Sequence, residues 1–114
     1  METLTDTSEV VRVLGALAQE SRLDAFRALV RAGPTGLAAG EIARQLEIPP
    51  PTLSFHLKAM LHAGLVRSRR DGRSLLYAAN FDVLTRVLRY LTENCCQGAV
   101  DDFSDSADSS VESG

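Results

Sequence analysis

A chain of 114 residues, 45% hydrophobic and with four prolines, can bury one compact core and is too short for two ordinary domains. Its twelve basic and fifteen acidic residues give a net charge of -3, which on its face argues against a nucleic-acid partner. Six of the acidic residues (Glu93, Asp101, Asp102, Asp105, Asp108, Glu112) lie in a stretch without Lys or Arg, so residues 1–92 carry +3.

The first predicted helix spans residues 9–19, where Val10, Val13, Leu14 and Leu17 fall on one apolar face. A second begins at Ser21, which with Asp24 resembles a capping box, continues through Leu23, Phe26 and Val30, and stops at Gly33-Pro34. Ala39, Ile42, Ala43 and Leu46 mark a short third helix. Proline is tolerated in a first helical turn, so the stripe Leu53, Leu57, Met60 and Leu61 predicts a fourth helix from about Pro51 to Ala63. Leu65–Arg70 and Arg73–Ala78 form a hairpin around Asp71-Gly72. Asn80 caps a fifth helix in which Leu84, Val87, Leu88, Leu91 and Cys95 share one side, closed by Gly98. Residues 101–114 are Ser/Asp-rich and almost without apolar anchors, so an acidic, disordered tail is expected after a single domain over residues 1–100.

No run approaches the roughly 20 apolar residues of a membrane span. Residues 1–6 lack the basic start and apolar stretch of a secretory signal, so a cytoplasmic location is expected. The adjacent Cys95 and Cys96 make a poor structural disulfide and in a reducing compartment are expected as free thiols. No Gly-rich phosphate loop or Ser/His/Asp grouping is present, and Asp101 and Asp102 stand where a phosphatase-like reductase would need Arg after its cysteine. The chain is not expected to be an enzyme.

A short helix, a tight connection and a second helix with polar residues in its first turns is a helix-turn-helix, whose second helix enters the major groove. Thr52, Ser54, Phe55, His56 and Lys58 occupy those turns and are the candidates for base and phosphate contact. Phe55 is also suited to core packing, His56 to an ordinary surface position, and Thr52 and Ser54 to capping. In the hairpin, Arg67, Arg69, Arg70 and Arg73 oppose only Asp71, a cationic loop suited to phosphates or a minor groove. Charged edge strands also prevent aggregation, which is the competing reason for those arginines.

The run Pro51-Thr52-Leu53-Ser54-Phe55-His56-Leu57-Lys58, followed by Ala63-Gly64-Leu65-Val66, resembles the signature of the ArsR/SmtB metalloregulators. The likeness extends over roughly residues 9–96, through Leu14–Leu23, Gly40-Glu41-Ile42-Ala43 and Arg70-Asp71-Gly72-Arg73. It implies a mainly helical winged helix-turn-helix with a small β-hairpin, in the order α-α-α-α-β-β-α. It further implies a homodimer formed through the first and last helices, which represses by holding double-stranded operator DNA and lets go when an inducer binds.

Arsenic-binding members of the founding type carry Cys-x-Cys on the helix before the turn, where this chain has Ala38-Ala39-Gly40-Glu41-Ile42-Ala43. The family's zinc site draws on Asp and His of the last helix, where only Asp82 is present. What remains is Leu91–Gly98, which looks like the C-terminal Cys-Cys site of another arsenic-responsive branch and implies Cys95 and Cys96 as ligands to arsenite, methylarsenite or antimonite. Adjacent residues on a helix point about 100° apart, so two thiolates converge on one atom only if the terminal turn rearranges. Two alternatives stand beside this: a thiol-redox switch on the same scaffold, and Cys95 as a small buried hydrophobe.

Overall fold

The computed structural model describes residues 6–93. In chain order it contains α1 (Thr7–Leu17), α2 (Glu20–Ala32), a short 3-10 turn (Gly33–Thr35), β1 (Leu37–Ala38), α3 (Ala39–Leu46), α4 (Pro50–His62), β2 (Val66–Asp71), β3 (Ser74–Ala79) and α5 (Phe81–Thr92). This is the expected winged helix-turn-helix, with one strand more than the sequence suggests.

The helix starts follow local chemistry. Asp6 caps α1 by accepting from the Ser8 amide, and Asn80 caps α5 through Val83. The expected Ser21-Asp24 box is not used: α2 starts one residue earlier, and the Gln19 side chain accepts from the Arg22 amide at 3.0 Å. Pro49 precedes α4, and Pro50 and Pro51 occupy its first turn, where the amides they lack would have had no partner. The turn before it passes through Glu47 in the left-handed region (φ 56°).

Between these elements lies one apolar core, in which Leu29, Ile42, Leu53, Leu57, Met60, Leu65 and Val66 are fully buried. Each such side chain contributes about 1.5–3 kcal/mol. On α1 Val10 and Val13 are buried in it and Ala16 and Leu17 pack at its edge; Leu14, expected on the same face, is 38% exposed.

The three strands form an antiparallel sheet in the order β1-β3-β2. Leu37 lies opposite Tyr77 and Ala38 opposite Leu76, so the entrance to α3 is stitched to the second strand of the hairpin. Gly36 makes this approach possible: its φ is +77°, and a Cβ there would run into the Tyr77 carbonyl. The hairpin turn is displaced by one residue from its expected place. Asp71 pairs with Ser74, which leaves Gly72 and Arg73 as the central residues, and only Gly72 has positive φ (64°). That is the pattern of a Gly-first II′ turn, whereas Asp-Gly at the centre would favour a I′ turn.

The last helix also departs from expectation. It ends at Thr92, and Glu93 has extended backbone (φ -57°, ψ 131°), so α5 stops three residues short of Cys95. Cys95, Cys96 and the acidic stretch 101–114 lie outside the described residues.

Candidate nucleic-acid interface

The helical repeat divides α4 into two sides. Leu53, His56, Leu57 and Met60 face inward and are buried. Pro51, Phe55, Lys58 and His62 line up on the opposite side, with Ser54 and Thr52 at its margins, and all six are exposed. Phe55 is 65% exposed, which excludes the core-packing role, and no side chain caps α4, which leaves the hydroxyls of Thr52 and Ser54 without that duty. The outward side therefore presents an aromatic ring, an ammonium, an imidazole and two hydroxyls.

His56 requires a correction. Expected among the reading residues, it is 7% exposed and points away from the outward side. Its Nδ1 accepts a 3.1 Å hydrogen bond from Arg22 Nε. Burial, and then the neighbouring Arg22 charge, hold its pKa below the usual 6.5, which favours the neutral ring that this acceptor requires. Arg22 also donates to the Ala16 carbonyl at 3.4 Å, and its guanidinium sits 5.7 Å from the centre of the Phe55 ring. One arginine of α2 thus ties α1 to the reading helix and backs its exposed aromatic.

The hairpin carries four arginines in two different situations. Side chains alternate along a strand, so Arg67 and Arg69 share one face and Arg70 takes the other. Arg67 donates to Asn80 Oδ1 at 3.2 Å and lies 3.9 Å from the Asp82 carboxylate, while Arg69 donates to the Thr35 carbonyl at 3.3 Å. Arg70 stands next to the turn and Arg73 within it, both exposed and, among the described residues, without a carboxylate partner. The expected patch is split into a tethered pair and a free pair at the tip.

Arg22 and His62 also border this candidate surface. His62 could have been found by extending the helical repeat from Phe55. Arg22 carries no comparable signal, because its partner is 34 residues away. Among the described residues no group of three or more His, Cys, Asp or Glu is placed to hold a metal ion, and no helix is long and apolar enough to cross a membrane.

Comparison with known proteins agrees with this geometry. The helix-turn-helix domain family matches residues 17–69. An HTH-type transcriptional regulator of Bacillus subtilis, YceK, is 34% identical over 74 residues, 63% of this chain and 73% of that protein. The arsenical resistance operon repressor of Staphylococcus aureus is 30% identical over 83 residues, 73% of this chain and 77% of the repressor. Among solved structures, an ArsR-like transcriptional regulator from Rhodococcus sp. RHA1 superimposes with a TM-score of 0.71 at 27% identity, covering 80% of this chain and 83% of that one. A homodimeric winged helix-turn-helix DNA-binding domain from Mycobacterium bovis does so with a TM-score of 0.63 at 27% identity, covering 83% and 89%. All four are transcriptional regulators or their DNA-binding domains, and none is an enzyme.

Proposed function

We infer a function for a chain that belongs to the ArsR family of winged helix-turn-helix transcriptional regulators: in the cytoplasm it binds operator DNA as a homodimer, and a trivalent arsenic or antimony species held by Cys95 and Cys96 releases it. The observation that carries the DNA-binding part is the outward side of α4 beside the free arginines of the wing. Thr52, Ser54, Phe55 and Lys58 meet base edges and phosphates in the major groove, Arg70 and Arg73 reach the flanking backbone, and Arg67 and Arg69 hold the wing in place.

Val11 and Leu14 of α1 and Leu88 and Leu91 of α5 leave an exposed apolar stripe, and covering it with a second copy presents two reading helices to a palindromic operator. The likeness to the homodimeric Mycobacterium bovis domain supports this.

The inducer assignment rests on donor chemistry and on the likeness to the Staphylococcus aureus repressor. Cys95 and Cys96 are the only two cysteines, and soft thiolates are the donors that trivalent arsenic selects. Two thiolates suffice for a methylated arsenical, whereas arsenite prefers a third from a partner subunit or a small thiol.

The test is fluorescence anisotropy on a palindromic operator, titrated with arsenite, methylarsenite, antimonite, zinc and peroxide, for the natural chain and for Cys95→Ser with Cys96→Ser. Arsenical or antimonite release that the double variant abolishes is the expected outcome. Release by zinc, or arsenical release that survives the double variant, overturns the inducer; release by peroxide alone makes the protein a redox-responsive repressor.

A further inference from the structure

An apolar groove of about 310 Å³ runs between α2 and the ends of α1 and α5, away from the reading helix and wing. Its floor and walls are Leu17, Leu23, Phe26, Val30 and Leu84, with Leu23 44% and Val30 37% exposed. Arg27 and Arg31 stand along its rim, exposed and, among the described residues, without carboxylate partners. A hydrophobic trough edged by two cations selects an occupant with an apolar anchor flanked by acids.

This chain contains such a segment. Asp101-Asp102-Phe103-Ser104-Asp105 places the sole aromatic of residues 94–114 among three carboxylates. We propose that this acidic segment docks in the groove of its own chain, with Phe103 between Leu23, Val30 and Leu84 and the carboxylates against Arg27 and Arg31. The reach suffices. Leu84 lies about 12 Å back along α5 from Thr92, at roughly 1.5 Å per residue, and the eleven residues from Thr92 to Phe103 can span up to about 36–40 Å. The docking does not depend on what Cys95 and Cys96 bind.

The chain has four phenylalanines, Phe26, Phe55, Phe81 and Phe103, so full-length protein grown with 4-fluorophenylalanine gives four fluorine resonances, that of Phe103 assigned by Phe103→Leu. The expected result is a Phe103 signal displaced from its position in the urea-unfolded chain, the free position, and a Phe26 signal that shifts in Phe103→Ser. Arg27→Glu with Arg31→Glu should return Phe103 to the free position. If the charge reversals unfold the protein, Phe103→Ser decides alone, because it alters only the tail. A Phe103 resonance at the free position in the natural chain overturns the proposal, as does a Phe26 signal indifferent to Phe103→Ser. A Phe26 signal that changes on dilution but not in Phe103→Ser instead assigns the groove to a second copy.

Discussion

The reading helix and the wing are two ways of aiming side chains at DNA, and they are supported very differently. Helix α4 is anchored along its whole length, with Leu53, Leu57 and Met60 almost completely excluded from solvent on one side and the exposed Thr52, Ser54, Phe55 and Lys58 on the other. The wing is a two-stranded projection whose base is held by Arg67 and Arg69 and whose tip carries Arg70 and Arg73. Damage to α4 should therefore appear first as lost stability, and damage to the wing as lost affinity in an intact fold.

The largest expected effect is that of Leu57→Ala. This side chain is fully buried, and removing its methyl groups should cost about 2–5 kcal/mol, read from denaturant unfolding. A cost below about 1 kcal/mol would mean that the helix is less firmly seated than its burial indicates.

Next come the wing arginines. Arg70→Ala and Arg73→Ala should each lower the slope of log affinity against log salt by about 1 and weaken binding to all sequences alike. Arg67→Ala and Arg69→Ala should change that slope less, because their guanidinium groups are turned toward the body. The exposed Arg67–Asp82 pair should contribute no more than about 1 kcal/mol to stability. Equal slopes for all four variants, measured by anisotropy across a salt series, would erase the division between tethered and free arginines.

The smallest effect is one of pH. The folded chain resists protonation of His56 more than the unfolded chain does, because its folded pKa lies below 6.5. Its contribution to stability is therefore complete above about pH 6.5 and is lost as pH falls from there through the folded value. Thermal unfolding midpoints should fall more steeply between about pH 7.5 and about pH 5.5 in the natural chain than in His56→Gln, where this buried position no longer titrates. Parallel profiles would remove His56 from the anchoring side of α4.

Much of this arrangement is readable from periodicity. The apolar repeat and the proline run place α4 within one residue of its observed start, because proline's missing amide is harmless only in a first turn. The assignments that differ from the structure depend on information that is not local. His56 lies three residues from Leu53 and one from Leu57, on the buried side by simple helical geometry, yet its polar ring is tolerated there only because Arg22 comes from another helix to meet it. Strand β1 is two residues long, too short for any alternation to register, and exists because Gly36 lets the backbone approach β3. The turn slips from Asp71-Gly72 to Gly72-Arg73 because strand pairing, not the dipeptide, decides which residues are central. Arg67 and Arg69 look free in sequence because Asn80, Asp82 and Thr35 are brought to them by folding.

Asn80 gives these regions a common joint. Its amide donates to the Leu65 carbonyl at 2.8 Å, its Nδ2 donates to the Gly64 carbonyl at 2.9 Å, and its Oδ1 accepts from both Arg67 and the Val83 amide. One side chain thus fastens the exit of the reading helix, the root of the wing and the first turn of α5. Together with the Arg67–Asp82 pair it joins the last helix to both elements of the candidate DNA-facing surface, so a displacement of the first turn of α5 bears on the exit of α4 and on the root of β2 at once.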